Sequence, residues 1–297
     1  RVGDFIMATP AFRALRQFFA DEPLRLCAKP GLFRLLEGER WLDGGYARGN
    51  RADWRRMRSD RPRLGVVFTN SWRGPAAFWL AGIPERVGYG RGARKVLLTR
   101  ALPAPRKDGK YLPVAMVEYY LELCRFLGVP VALRTPALSL TPAQQEEGRR
   151  FRQTLGVQEG QPLVLLAPGA GYGPAKCWPA ESYATVAELL VARRSARVGL
   201  LYGPGEEELA GKIRGLLAER VWCPETPPDL GRVKAWTGAA DLVVGNDSGY
   251  RHVAAALGIP SVTLMGPTEP IWSTYENPAD RVLRKEVPCG PCMERTC

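Results

Sequence analysis

The sequence predicts an α/β protein built on mostly parallel sheets. Short apolar runs rich in β-branched residues alternate with longer segments of helical periodicity. Polar turns that contain glycine follow several of these runs, at the points where parallel strands place their carboxyl ends. With 297 residues and 45% apolar residues, the chain is long enough for two packed domains.

In the first half, the clearest elements are two strands and two helices. Gly3 and Asp4 precede a helical apolar stripe that starts at Pro10, so we expect a strand-to-helix loop there. The strand that should come before this loop is absent, and since the chain begins with Arg1 we interpret its start as clipped. Strands are predicted at 24–28 and 64–68, and an amphipathic helix at 117–128.

The second half repeats the alternation. Thr141 and Pro142 start a charged helix that ends near residue 155. Strands and helices then alternate, with strands at 163–167, 198–202, 242–244 and 261–265 and helices at 180–193, 206–219 and 252–257. The predicted organisation is an N-terminal domain at 1–140, a linker helix at 141–160 and a C-terminal domain at 161–297 that ends in a cysteine-containing tail.

The net charge of +12 lies entirely in the first half. Residues 1–150 carry 27 lysines and arginines against 14 acidic residues, whereas residues 151–297 carry 15 against 16. This asymmetry predicts an anionic partner for the first half, and nucleic acid, an anionic membrane or a phosphorylated glycan would each fit. The alternative is an arginine-rich surface that only aids solubility.

The sequence has no apolar stretch near the ~18 residues of a transmembrane helix. The start, RVGDFIMATP, lacks the regions of a signal peptide. Seven scattered cysteines favour reduced thiols over a disulfide framework, so a cytoplasmic protein is expected. Cys289 and Cys292 have a spacing that permits a metal, but no fourth ligand beside Cys297 is evident, and simple thiols are the favoured interpretation.

Four polar clusters fall at predicted strand ends. In the first, Asp4 is a candidate general base or, equally, a helix N-cap. The second, at 168–179, is dense in glycine and holds Lys176, which could meet a phosphate, although the P-loop pattern is not satisfied. The third contains Glu206 and Glu207, which could accept hydrogen bonds from ribose or merely stabilise a helix N-terminus.

The fourth cluster is the turn 246–249 between a buried strand and a helix. A helix start at such a turn offers free N–H groups to an anion. His252, the single histidine of the chain, lies in the first turns of that helix. A lone histidine on a helix is often structural, so the sequence allows either a structural role or a binding role for His252.

Together these stretches resemble the bacterial ADP-heptose:lipopolysaccharide heptosyltransferases, glycosyltransferase family 9, and its type II members most. The resemblance covers nearly the whole chain and rests on GDFIMATPAFRALR, NSWRGPAAFWLAGIPERVGYGRGARKVLLT, PGAGYGPAKCWP, GNDSGYRHVAAALGIPSVTLMGPTEP and CGPCMERTC. It implies the GT-B architecture, two Rossmann-like doubly wound domains facing across a cleft, and an inverting reaction without a metal or other cofactor. It also implies that the chain stops before the closing C-terminal helix of the family.

The resemblance also assigns roles. Asp4 matches the carboxylate that acts as general base, and Lys176 matches the lysine that binds the donor diphosphate. Glu207 best matches the ribose-binding glutamate, with Glu206 a near rival. The donor-binding turn matches at Asp247, Ser248, Gly249 and His252.

The implied substrates are a nucleotide sugar and an anionic glycolipid acceptor at the cytoplasmic face of the inner membrane. The basic half should meet that acceptor, with candidate contacts at Arg13, Arg16, Arg73, Arg86 and Arg94. Two alternatives stay open: a related transferase with another sugar or acceptor, and a basic nucleic-acid-binding protein. Against the second, no nucleic-acid-binding module is recognisable.

Overall fold

Two consecutive helices, α1 (Val2–Met7) and α2 (Thr9–Phe18), stand where a loop was expected around Gly3 and Asp4. That expectation was wrong because the apolar side chains after Asp4 are buried and hold α1 as a helix of its own. Pro10 lies in the first turn of α2, where its missing N–H leaves no hydrogen bond unmade.

The rest of the N-terminal half alternates short strands and helices around parallel pairings. The elements are β1 (Leu26–Ala28), β2 (Gly45–Ala47), α3 (Arg51–Asp60), β3 (Leu64–Val67), α4 (Arg73–Leu80), β4 (Glu85–Tyr89), β5 (Arg100–Leu102), β6 (Arg106–Lys107), β7 (Lys110–Tyr111) and α5 (Met116–Phe126). β1 and β2 are parallel, β3, β4 and β5 form a parallel sheet, and β6 and β7 form an antiparallel hairpin. The strands predicted at 24–28 and 64–68 and the helix at 117–128 are confirmed.

The C-terminal half follows the predicted alternation, with two elements that the sequence did not reveal. The elements are α6 (Pro142–Thr154), β8 (Leu163–Ala167), α7 (Ala180–Arg194), β9 (Arg197–Leu200), α8 (Glu207–Leu216), α9 (Leu230–Gly238), β10 (Leu242–Asn246), α10 (Gly249–Ala256), β11 (Ser261–Leu264) and β12 (Asp280–Leu283). Helix α9, which Asp229 caps, and strand β12 were not predicted. Of the helix predicted at 206–219, residues 218 and 219 lie outside the described part of the chain.

The C-terminal sheet is entirely parallel, with the order β12-β11-β10-β8-β9. This is a doubly wound order, in which β8 and β10 are neighbours although β9 lies between them in the chain. The direction of winding therefore reverses between β8 and β10. In open parallel sheets, ligands bind outside the carboxyl ends of the strands at such a switch point.

The core of this half lies on both faces of the sheet, as the alternation of a strand requires. On one face, Val164 and Leu166 of β8 pack with Tyr183 of α7 and Ile213 of α8. On the other face, Leu163 and Leu165 pack with Phe151, Trp236 and Ala254 of α6, α9 and α10. The sheet is thus fixed on both sides, and its carboxyl edge is a rigid base for the loops that follow it.

The computed structural model describes residues 1–217 and 220–297, which divide into two compact units. The first comprises Arg1–Ile6, Arg34–Glu39 and Thr135–Cys297, and the second comprises Met7–Phe33 and Arg40–Arg134. Helix α1 up to Ile6 therefore belongs with the C-terminal sheet. The domain boundaries at residues 140 and 160 stay a prediction.

Candidate functional site

The loops that follow β8 and β10 meet through an ion pair between Lys176 and Asp247. The Lys176 ammonium lies 2.5 Å from the Asp247 carboxylate and also donates to the Asp247 backbone carbonyl at 3.1 Å. Both side chains are at most 10% exposed. A buried lysine and aspartate in direct contact hold both loops at the switch point of the sheet.

The pair continues into a buried charge network. Arg251, on α10, contacts the Asp247 carboxylate at 3.1 Å and the Asp280 carboxylate at 3.0 Å. Burial raises the pKa of Asp247, but the charge and hydrogen bond of Lys176 and the charge of Arg251 together bring it below its ordinary value. In this network the cations Lys176 and Arg251 face the carboxylates Asp247 and Asp280. Asp280 is further held by hydroxyl groups of the neighbouring strand β11.

Asn246, at the end of β10, holds the glycine-rich loop 168–179 in place through hydrogen bonds. Its side-chain oxygen accepts from the Trp178 backbone amide at 3.2 Å and from the Tyr183 hydroxyl at 3.1 Å, and its amide donates to the Pro168 carbonyl. Asn246 is fully buried. Sequence reasoning missed the roles of Asn246 and Arg251 because their partners lie far away in the chain.

The start of α10 combines free backbone donors with an unsatisfied hydroxyl. Ser248 is the N-cap residue, but its side chain makes no capping hydrogen bond. Among the described residues, its buried Oγ has no hydrogen-bond partner. A buried hydroxyl is costly without a partner. The orphan hydroxyl and the first N–H groups of α10 therefore form a site ready for an anion.

Helix α1 packs directly against this helix start. A Cβ added to Gly249 would lie 2.8 Å from Val2, and a Cβ added to Gly3 would lie 2.7 Å from the ring of His252. Glycine suits both positions because the side chains of Val2 and His252 occupy the space that a Cβ there would need. This packing also fixes the position of Asp4, which follows Gly3 in the chain. The Asp4 side chain is 45% exposed.

His252 is almost fully buried and is held from two sides. Its Nδ1 lies 2.9 Å from the Tyr275 hydroxyl, and the opposite side of the ring meets Gly3. Burial and the neighbouring charge of Arg251 lower the pKa of His252 far below its ordinary value of 6.5, although Asp247 opposes them. The imidazole is therefore neutral at physiological pH and serves as a fixed hydrogen-bonding group.

This pKa shift predicts a measurable dependence of stability on pH. Below pH 6.5 the unfolded chain binds a proton at His252 and the folded chain does not, so stability falls as the pH falls. Between pH 7 and 5.5, we expect the free energy of unfolding to fall about 1 kcal/mol more in the unaltered protein than in His252→Gln. Urea denaturation at both pH values measures this, and the Tyr275→Phe variant, which keeps the histidine, should retain the steeper dependence. Equal dependence in the unaltered protein and His252→Gln would contradict it.

Of the two candidate glutamates, Glu206 faces the site. Its carboxylate accepts from the Gly203 amide at 2.7 Å and lies where a Cβ on Gly169 would be. Burial raises the pKa of Glu206, although the hydrogen bond from Gly203 opposes it. Glu207 is the first residue of α8 and is exposed. The glycine at 169 thus leaves room for Glu206 at the carboxyl edge of β8.

The cysteine-containing tail also contacts the loop that carries Lys176. The Ala175 amide donates to the Arg295 carbonyl at 3.0 Å, and the Tyr172 hydroxyl donates to the Met293 carbonyl at 2.5 Å. The Met293 amide in turn donates to the Pro267 carbonyl at 3.0 Å. The tail therefore ties together the loops after β8 and β11.

The three tail cysteines are exposed free thiols. No group of three or more metal-ligating side chains is found in residues 1–217 and 220–297. In the same part of the chain, no helix combines the length and the apolar character needed to cross a bilayer.

The five candidate arginines lie in the second unit and differ in environment. Arg16 pairs with Asp43 at 3.2 Å, and Arg86 donates to the carbonyls of the chain around it. Arg94 is 4% exposed and donates to the Thr69 carbonyl, while its Nε and Nη2 have no partner among the described residues. Arg13 is half-buried and Arg73 is exposed. Arg94 and Arg73 thus have the most unused hydrogen-bonding capacity.

Comparisons with known proteins agree with this geometry. Residues 51–297 match the model of glycosyltransferase family 9 (heptosyltransferase). The chain is 30% identical to lipopolysaccharide heptosyltransferase 2 of Escherichia coli, over 95% of this chain and 85% of that protein. It is 29% identical to lipooligosaccharide heptosyltransferase 2 of Haemophilus influenzae, over 91% of this chain and 82% of that protein.

The fold matches as well. The structure of the ADP-heptose lipopolysaccharide heptosyltransferase II of Escherichia coli superimposes with a TM-score of 0.81, at 26% identity, over 97% of this chain and 89% of that chain. The predicted GT-B fold class is therefore confirmed.

Proposed function

The chain belongs to glycosyltransferase family 9, the heptosyltransferases, and on that premise we propose that it transfers L-glycero-D-manno-heptose from ADP-heptose to the inner core of lipopolysaccharide. The observation that carries the proposal is the unpartnered Ser248 hydroxyl at the start of α10, beside Lys176 and its partner Asp247, in a family of heptosyltransferases. A diphosphate has the charge and the acceptor oxygens that this site lacks.

In the proposed complex, the donor diphosphate accepts hydrogen bonds from the Ser248 hydroxyl and from the first amides of α10. Lys176 can join them without leaving Asp247, because an ammonium has three N–H donors and two are engaged. Its charge offsets the negative charge that develops on the departing ADP. These groups support a reaction that needs no metal ion.

We propose Asp4 as the general base of an inverting displacement. The acceptor hydroxyl gives its proton to the Asp4 carboxylate and its oxygen forms the bond to the anomeric carbon, while the bond from that carbon to the ADP oxygen breaks. The packing of Gly3 on His252 supports this role, because it fixes Asp4 relative to the donor turn.

Either Glu206 or Glu207 is proposed to accept hydrogen bonds from the donor ribose, and the geometry favours Glu206. We expect Glu206→Gln to raise the KM for the donor about 10-fold, since a hydrogen bond to a charged group contributes about 1.5–3 kcal/mol. Glu207→Gln, a matched change one residue away on an exposed position, should change it less than about two-fold. Initial rates at varied donor concentration give both values, and the opposite order would assign the contact to Glu207.

The acceptor is proposed to be the phosphorylated, carboxylate-bearing inner core, held by the basic second unit at the cytoplasmic face of the inner membrane. Arg73 is the best-supported contact of the five, because it is exposed, whereas Arg13 is half-buried, Arg94 is buried, and Arg16 and Arg86 are already engaged. Arginine suits such groups because its planar fork binds carboxylate and phosphate in a bidentate manner.

The test is ADP release from a panel of donors and acceptors. The protein is incubated with ADP-heptose and Kdo-lipid acceptors bearing no heptose or one heptose, and in parallel with GDP- and UDP-sugars. The proposal expects release of ADP from ADP-heptose only when an acceptor is present. Turnover with another nucleotide sugar would assign a related transferase, and no release with any core acceptor would reject the function.

A further inference from the structure

We propose that one face of α4 and the adjoining 3-10 helix Gly92–Leu97 binds the surface of an anionic lipid bilayer. The face, called here the α4 face, consists of Trp72, Trp79, Leu80 and Val96. These side chains are 64%, 55%, 57% and 84% exposed. Four large apolar side chains on these two adjoining elements are far more exposed than folding of this unit requires.

Three of these side chains share one side of the helix. Trp72 and Trp79 are seven residues apart, so they project within about 20° of each other, and Leu80 lies next to them. The opposite side of α4 is already used, because Phe78 packs over Gly65 of β3 and joins the buried cluster around Met57. The stripe of Trp72, Trp79 and Leu80 is instead open to solvent, with each side chain more than half exposed.

The segment of the chain that carries the α4 face is rich in basic residues. From Thr69 to Tyr111 the chain has nine lysines and arginines against two acidic residues. One of the two, Glu85, is paired with Arg100 at 2.9 Å. Among the described residues, no ion pair engages the exposed basic residues Arg73, Lys95, Lys107 and Lys110.

The hairpin of β6 and β7 carries part of this charge and is stabilised by cation–π contacts. The guanidinium groups of Arg91 and Arg106 lie 3.7 Å and 4.2 Å from the centre of the Tyr111 ring. These contacts hold the two-residue strands, in which Lys107 and Lys110 are paired with each other and exposed.

Exposed tryptophans beside lysines and arginines fit the boundary between headgroups and acyl chains of a bilayer. Tryptophan prefers that boundary because its ring is apolar and its N–H is polar. The cations of the same segment are attracted to anionic headgroups within a Debye length. A protein partner would need a complementary acidic surface, whereas an anionic bilayer supplies both the charge and the apolar layer. The proposal deepens the proposed function, since a lipid-linked acceptor lies in such a surface.

The test is co-sedimentation with vesicles of phosphatidylcholine containing about one-third phosphatidylglycerol, with no donor or acceptor present. The unaltered protein should bind these vesicles, bind neutral phosphatidylcholine vesicles far less, and lose binding at high salt. The double variant Trp72→Ala/Trp79→Ala should partition at least about 10-fold more weakly, and Lys107→Glu/Lys110→Glu should remove most of the preference for anionic vesicles.

The control is Leu189→Ala/Leu216→Ala, two comparably exposed apolar positions in the other unit, which should bind as the unaltered protein does. Because all altered side chains are exposed, the variants should keep the same Tm. Equal partition of the tryptophan double variant and the unaltered protein would overturn the proposal. Tight binding of duplex DNA that depends on both tryptophans would also overturn it. None of these measurements requires glycosyl transfer, so the proposed activity and the membrane surface can fail separately.

Discussion

Replacement of Lys176 by alanine should lower kcat/KM by about 10²- to 10³-fold, equivalent to about 3–4 kcal/mol of transition-state stabilisation. Lys176 is a buried cation paired with Asp247, the residue before the start of α10, and it is proposed both to bind the diphosphate and to offset the charge on departing ADP. The affinity for ADP, measured by calorimetry, should also fall, because the diphosphate meets the lysine before and after transfer.

Two variants separate this effect from a loss of structure. Lys212→Ala removes an exposed lysine whose ion pair with Glu181, at 2.6 Å, is screened by solvent, so stability and activity should be unchanged. Lys176→Met keeps the length of the side chain while removing its charge, and should be as inactive as Lys176→Ala. If Lys176→Ala bound ADP with unchanged affinity, the lysine would act only as the partner of Asp247.

Most of the fold could be predicted because the apolar pattern repeats with clear periods. Val164 and Leu166 face one side of the sheet and Leu163 and Leu165 the other, so β8 is buried on both faces and appears as a continuous apolar run. At the start of α6, the side chains of Thr141 and Gln144 each accept a hydrogen bond from the other's backbone amide, which is a capping box. This pattern predicts the helix start from local sequence alone. Such signals depend only on nearby residues.

The features that the sequence did not predict depend on contacts between residues far apart in the chain, or on which of two adjacent residues points inward. Arg251 pairs with Asp247 four residues away, but its second carboxylate partner, Asp280, lies 29 positions further along the chain on β12. Glu206 and Glu207 differ by one position, yet Glu206, the N-cap residue of α8, packs against Gly169 and Gly203 while Glu207 is exposed. No local pattern distinguishes such neighbours, and only the packing against Gly169 does.

The contrast between Asp4 and Asp247 explains why one is a candidate base and the other is not. Asp247 is buried and paired with two cations, and these charges keep it ionised and unable to accept a proton. Asp4 is partly exposed at the end of the chain segment that packs on His252. Of the two carboxylates, Asp4 is the one that a substrate hydroxyl can reach.

Replacement of Asp4 by asparagine should therefore lower kcat by about 10²- to 10⁴-fold, the usual contribution of a positioned general base. Asparagine keeps the size of the side chain, so α1 should still pack on the donor turn, and the affinity for ADP should change by less than about two-fold. Single-turnover rates with ADP-heptose and a core acceptor, together with calorimetric titration of ADP, give both quantities.

The matched control is Asp21→Asn, which neutralises an exposed carboxylate in the second unit and should leave kcat and ADP affinity unchanged. The decisive comparison is between kcat and affinity within Asp4→Asn itself, because misfolding would lower both. A normal kcat in Asp4→Asn would remove Asp4 from the mechanism, and a parallel loss of ADP affinity would make it a support for the donor turn. A loss confined to kcat is the result that a base next to an intact donor site requires.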